Sequence, residues 1–478
     1  MITVKTHPSA ADTTPIMMQR TDDGVQRNIL LLQGLMGPFF RLIGRELRRR
    51  GYGVWKVNFN GGDRLFWRLP GGIDFTGRAN EWPDALTRII IEHDITDVVL
   101  FGDCRPLHSA AIAVCARLHI PVHVFEEGYL RPDWVTFELG GVNGNSTLSR
   151  DPTYYIENAK ALPDLPPHHP VPSSFRTRAL QGLAYNTADL LSRWHYRHWN
   201  NYRPWHPLTE GIGWLRKLLA RDERRARSEK ALKTLRASHS FYMLFPLQLD
   251  ADAQVRLHSS FSGMAEAIRV VIASFTSHAP HGMRLVIKEH PLDNNIRNWC
   301  HEVAMQAAAY GVSDRVDYFE AGDIADLVRT ATGVITINST TGTLALAEGK
   351  PVITLGNAVY DIPGITFQGP LEEFWSNPGK PDPEIFAAYR RVLIERCLIP
   401  GGFFSNEGMS KLVRHAIDRL THHSPRDFAA TSRAEMARRE ALRQKLSRYP
   451  DTPAEITFPA LPKDALKAEL EALKEVSS

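Results

Sequence analysis

The sequence predicts an α/β protein of two Rossmann-like domains facing a cleft, with a helical insertion between them and a helical C-terminal tail. Three observations carry this. Short apolar runs alternate with helix-period segments from residue 28 to about 140 and again from about 240 to 356. Between these stretches the alternation stops at a Pro/His-rich segment, "ALPDLPPHHPVPSS", followed by helix-like sequence. The 478 residues also exceed one ordinary core, at a soft prior of about 150 residues per domain.

The elements follow in order. Residues 1–27 are polar and read as flexible. In the N-terminal domain, 28–160, "NILLLQG" is a buried strand ending at a glycine, and "PFFRLIGRELRRRG" has helical apolar spacing with arginines near its end. The strand "YGVWKVNFN", the helix "EWPDALTRIIIEHD", the strand "DVVLFGD", the helix "PLHSAAIAVCARLHI" and the strand "PVHVFEEG" come next. Residues 161–238 form the insertion. The C-terminal domain, 239–400, resumes with "FYMLFPLQ", "MRLVIKEHP", "RVDYFE", "GVITINS" and "PVITLG" as strands between helical segments. Residues 401–478 are the tail, with charged helix patterns such as "SRAEMARREALRQKLSRY". This order implies parallel sheets covered on both faces, with ligand crevices at the strand C-termini.

Composition narrows the function classes. Hydrophobic residues make up 43% and charged residues 23%, and the net charge is only +4. There is no zinc-finger spacing, RNA-recognition signature or long basic arm, so no nucleic-acid partner is expected. Cys104, Cys115, Cys300 and Cys397 form no C-x-x-C pair, which argues against a disulfide framework or structural zinc. With no signal-peptide core and no run of about 18 apolar residues, the expected location is cytoplasmic.

Several strand ends carry chemistry. "VFEEGYLRP" places Glu126 and Glu127 where a strand should end, as a solvated turn or a reactive pair, since adjacent acids cannot both enter an apolar core as anions. "INSTTGTLALAEGKP" runs a strand into Ser339, Thr340, Thr341 and Gly342 at a helix start, an ordinary N-cap or an anion site. Glu348, a turn from that helix's end, is a surface acid or a ribose contact. "IKEHP" leaves Lys288, Glu289, His290 and Pro291 at another edge, where an imidazole is structural, a phosphate donor or an aid to leaving-group departure. In "FPLQLDADAQVRLHSSF", the D-x-D precedes a helix start, so it is a weak metal motif. Gln248, Asp252 and His258 line the cleft or cap helices. Gly34 marks a tight turn or a close approach to an acceptor, and Asp103 an ion pair or a substrate contact. No H-E-x-x-H, G-x-S-x-G or Walker loop appears.

Four blocks, "FEEGYLRPDWVTFE", "FPLQLDADAQVRLHSSF", "KEHP" and "NSTTGTLALAEGKPVITLG", resemble in order the bacterial capsule polysaccharide synthesis family, in particular its KpsS/LipB-type members, over roughly residues 28 to 400. The two-domain pattern is similar to GT-B glycosyltransferases by fold analogy. The resemblance implies a β-Kdo transferase that uses CMP-β-Kdo and starts the oligo-Kdo linker on a phosphatidylglycerol-type lipid. A more distant likeness to two-domain bacterial sialyltransferases matches Glu126-Glu127-Gly128, His290-Pro291 and Ser339-Thr340. It implies a catalytic carboxylate, with Glu127 placed first and Glu126 second, opposite a CMP cradle; Arg131 meets the sugar carboxylate or holds the turn. A single-phosphate donor implies no metal requirement and no cofactor.

"SRWHYRHWNNYRPWHP" at 192–207 interleaves cations and aromatics, which suits an anionic membrane surface, stacking on single-stranded nucleic acid or sugars, or burial between domains. The expectation is a transferase peripheral to the inner membrane, with a CMP-sugar, an anionic lipid and other capsule synthesis or export proteins as partners. The alternatives are another nucleotide-sugar transferase and a non-catalytic lipid-linker-binding or export-assembly protein.

Overall fold

The computed structural model describes residues 27–422 apart from 132, 166–169, 202–204 and 206. The expected flexible start and the distal tail lie outside the described residues, 27 and 401–422 excepted.

The first sheet contains β1 (Asn28–Leu31), β2 (Gly53–Asn58), β3 (Gly72–Asp74), β4 (Asp97–Phe101), β5 (Val122–Glu127) and β6 (Trp134–Leu139). The second holds β7 (Tyr242–Pro246), β8 (Arg284–Lys288), β9 (Val316–Phe319), β10 (Gly333–Thr336) and β11 (Val352–Thr354). A last strand, β12 (Leu398–Pro400), returns to the first sheet, whose order is β12-β6-β5-β4-β1-β2-β3; the second runs β11-β10-β7-β8-β9. Strands such as β1 and β4 are apolar after their first residue because helices cover both faces: Ile29, Leu30, Leu31 and Val98 to Leu100 are fully buried.

The second sheet is parallel, as expected, while the first is mixed. β6 folds back antiparallel on β5, and β12 pairs antiparallel with β6. The hairpin depends on Gly128, where an added Cβ would lie 2.0 Å from the Trp134 carbonyl oxygen.

Residues 401–422 depart from the expected tail. The helix Asn406–His422 buries Leu412, Ala416, Ile417 and Leu420 against Phe39, Ile43 and Leu47, so it completes the N-terminal core. The insertion is likewise divided: the helix Phe175–Leu191 packs on the first domain, while Pro207–Leu219 and Arg221–Ala237 are pinned to the second.

The domains share a core beneath the cleft, where Tyr129, Leu148 and Tyr155 pack with Leu244, Tyr360 and Tyr389. Arg150 joins buried Asp361 at 2.9 Å, and the Asn357 amide donates to the Gly144 carbonyl at 2.8 Å. Chain order reverses between β1 and β4 and between β7 and β10, the places where open α/β sheets leave ligand crevices.

Candidate active site

Both crevices meet at one cleft, and the residues singled out in the sequence fall along its edges. From the first domain come the ends of β1, β4 and β5, carrying Gly34, Asp103 and the glutamate pair. From the second come the ends of β7, β8 and β10, carrying Gln248, His290 and Ser339.

The two glutamates occupy different environments. Glu126 is half-buried, and its Oε2 is the atom nearest to where a Cβ on Gly102 would lie, at 3.2 Å. Its Oε1 accepts the Glu127 N–H at 2.8 Å. Burial, opposed by that hydrogen bond, and the neighbouring Glu127 charge raise its pKa from 4.5 to about 7. Glu127 is instead clamped at 3.0 Å by Arg131 and at 3.0 Å by Arg178, which reaches in from the insertion. Two guanidiniums therefore hold this carboxylate in place from opposite segments.

Opposite them, His290 Nδ1 accepts the Leu292 N–H at 3.1 Å, which assigns the proton of the neutral ring to Nε2. Burial, with the charges of Arg131, Lys217 and Lys288, lowers its pKa to about 4. His290 is therefore a neutral donor near pH 7. Arg131 and Glu127 act electrostatically on both His290 and Asp252, so the two domains face each other here. Asp252 caps the helix Ala253–Arg256 by accepting from Gln254 N at 2.9 Å, and burial raises its pKa.

β7 separates β8 from β10, so the loops that carry His290 and Ser339 follow strands two places apart on one sheet edge. Gln248 fills the interval, exchanging hydrogen bonds with Asn338 at 2.8 and 3.2 Å. Ser339 Oγ accepts from Thr341 N at 3.2 Å, and Thr340 makes no side-chain cap bond. Ser339, Thr340 and Thr341 are each part-exposed. The helix they start, Thr341–Ala347, has only two turns, so its dipole is short and the hydroxyls and His290 form the polar edge. Gly342 serves packing, because a Cβ there would lie 2.3 Å from the Tyr360 hydroxyl, which is held by Ser339 O at 2.5 Å. Gly342→Ala is expected to cost about 1–3 kcal/mol of stability by overpacking, read from denaturant midpoints.

Five further residues singled out in the sequence have the following surroundings. Glu348 is the exposed C-cap of Thr341–Ala347, a helix that leads from the strand ends back toward the start of β11. Lys288 is buried, with Nζ donating to Glu289 O at 2.9 Å, and desolvation lowers its pKa to about 8. Asp103 is buried too, and its Oδ2 accepts from Val142 N and Asn145 Nδ2 at 2.9 and 3.1 Å, which ties down the chain after β6. Pro291 is exposed and offers its carbonyl to Lys217 at 3.1 Å. Gly34 accepts from Arg105 Nη1 at 3.2 Å through its carbonyl.

His258 is buried, with Nε2 at 3.1 Å from Cys104 Sγ, a polar bridge between domains. Asp103, Cys104 and His258 bring O, S and N donors within 4.8 Å of one another and are, among the described residues, the group that could hold a cation. The same atoms already bond one another, Cys104 Sγ to Asp103 Oδ1 at 3.2 Å.

Residues missed in the sequence are mostly cations from the insertion. Arg178 gave no local signal because its partner lies 51 positions away. Glu289, inside "KEHP", is buried and bound by Lys217 at 3.1 Å, Arg224 at 2.6 Å and the Tyr318 hydroxyl at 2.8 Å. A cavity of about 270 Å³ opens beside this anchor, with Trp205, Trp214, Asp250 and Arg297 among its walls.

Two doubly wound domains with their strand C-termini facing one cleft make this a GT-B-like α/β protein. A family model described as capsule polysaccharide biosynthesis protein matches residues 96–404. Capsule polysaccharide export protein KpsS of Escherichia coli is 34% identical over 79% of this chain and 97% of its own. Capsule polysaccharide modification protein LipB of Neisseria meningitidis serogroup B is 33% identical over 79% of this chain and 92% of its own. The chain belongs to the capsule polysaccharide biosynthesis family. Among solved structures, the Thermosulfurimonas dismutans KpsC β-Kdo 2,7 transferase aligns over 83% of this chain and all of its own, at 12% identity and a TM-score of 0.38.

Proposed function

We propose that this protein is a glycosyltransferase that moves β-Kdo from CMP-β-Kdo to a phosphatidylglycerol-type lipid, with Glu126 as the reacting carboxylate and Glu127 as its charged neighbour. The observation that carries the reading is that Glu127 and Arg131 of the first domain act electrostatically on His290 of the second, so the glutamate pair, with Glu126 at a pKa near 7, and a neutral imidazole donor face one cleft. Family membership and the motif blocks support the capsule context.

Transfer with retained configuration follows a double displacement. The Glu126 carboxylate bonds the anomeric carbon as the bond to the CMP phosphate breaks and its electron pair leaves with CMP. The acceptor oxygen then displaces Glu126, its proton passing to solvent. His290 Nε2–H and the Ser339 and Thr340 hydroxyls stabilise the leaving phosphate, so no metal is required. Arg131 meets the sugar carboxylate. The expectation that ranked Glu127 first is reordered here, because Glu127 is held by two arginines while Glu126 is desolvated.

The test is transfer from CMP-Kdo to a fluorescent lipid-like acceptor, paired with protection by CMP against thermal unfolding. His290→Ala is expected to lower transfer by about 10²–10³-fold, as loss of one charge-stabilising donor does elsewhere. Protection by CMP without transfer would leave a lipid-linker-binding protein, and protection by uridine nucleotides alone would leave a transferase with another donor.

A further inference from the structure

Surface helices of a folded domain normally bury an apolar stripe and expose a polar face. The Phe175–Leu191 helix does the reverse. Arg178 and Tyr185 point inward, to Glu127 at 3.0 Å and to Asp63 at 3.1 Å, and Asp189 on the same face is buried. Leu180, Leu183, Leu190 and Leu191 recur at helical spacing on the other side and are 65–72% exposed, with Phe175 also exposed at the helix start.

The Pro207–Leu219 helix repeats the pattern on the other domain. Lys217 turns inward to Glu289, while Ile212, Leu215, Leu218 and Leu219 are 54–79% exposed. Among the described residues, ten of the sixteen exposed large apolar side chains lie between 175 and 219. Residues 175–221 also hold eight Lys and Arg against two Asp and Glu, more than the whole chain's net charge of +4.

The aromatics that drew attention in the sequence are not this surface: Tyr196 is buried and Trp199 stacks on Phe59, leaving Trp194 exposed. Apolar stripes set among cations fit a bilayer with anionic headgroups, where leucines enter the acyl boundary and arginines meet phosphates. A nucleic acid would leave the leucines in water.

We propose that the outer faces of Phe175–Leu191 and Pro207–Leu219 form a docking platform for an anionic lipid bilayer, one helix on each domain, with inner faces at the cleft edges. The proposal rests on the lipid-acceptor reading above, and it adds the route: lipid reaches the cleft between the two helices.

Flotation of the full chain with phosphatidylcholine vesicles, with and without phosphatidylglycerol, tests it. Wild type is expected to float with the anionic vesicles, and Leu183→Glu/Leu190→Glu and Leu215→Glu/Leu219→Glu are each expected to lose about tenfold or more in partition. Circular dichroism and thermal unfolding establish that the variants fold, and the milder Leu→Gln pairs serve if they do not. Wild type that stays unbound, or self-associates through this face without binding vesicles, overturns the platform, as do variants that float like wild type. The transferase reading fails separately: if vesicles bind but no acceptor receives Kdo, the platform stands without it. If a soluble acceptor is glycosylated by wild type that never floats, the platform alone fails.

Discussion

Glu126→Gln is expected to remove transfer by about 10²–10⁴-fold while leaving the fold intact, the range associated with a positioned acid, base or nucleophile. Stability should move the other way. Glu126 titrates near 7 when folded against 4.5 ordinarily, so between these values the native state holds a proton that the unfolded chain has released. Stability therefore falls as pH rises through that window, and above it the ionised carboxylate remains a cost that glutamine lacks. At pH 8 the variant should melt at a higher temperature than wild type, and at pH 4 the difference should vanish. Wild-type transfer should rise as pH increases through about 7, because the reaction uses the carboxylate. His290, with a pKa near 4, stays neutral over that range and contributes no second limb. Glu127→Gln should cost less than Glu126→Gln; the opposite order returns the reacting role to Glu127.

Glu289→Ala is expected to cost about 3–5 kcal/mol, a large share of the roughly 5–15 kcal/mol that holds a typical domain. The wild-type carboxylate is buried between Lys217 and Arg224, so alanine leaves those cations without their shared counter-ion. Denaturant unfolding gives the loss. Limited proteolysis should show Pro207–Leu219 becoming cleavable first, since Lys217 holds it to Glu289, whereas Arg221–Ala237 keeps its pairs with Glu320 and Asp326. Transfer should fall as well, because Lys217 also holds Pro291 O and Asp293 O, next to His290.

The alternation of buried strand and helix was legible because parallel strands covered on both faces form near-continuous apolar runs, as "ILLL" and "VVLF" do. The strand ends were legible for the same reason, which is how the glutamate pair, His290 and the Ser/Thr turn were found. β6 and β12 were not. "WVTFEL" follows its partner through a hairpin with no Asn-Gly turn, and "LIP" pairs with a strand some 260 positions earlier, so neither carries its pairing locally. The roles within the glutamate pair were also hidden, since they are set by Gly102 and Arg178 from distant segments. Lys288 and Asp103 looked like site residues because they lie next to strand ends, yet direction along a strand alternates and theirs lead inward.

The polypeptide leaves the first domain after the Phe175–Leu191 helix and comes back at β12, sealing the edge of β6 before ending its described course on Phe39 and Ile43. Two covalent tethers therefore span the same joint. A joint crossed twice by the chain resists twisting, so any opening of the cleft is expected to follow one rotation. Cutting the chain before residue 398 would free that rotation and, at the same time, bare the unpaired rim of β6 to association with another chain.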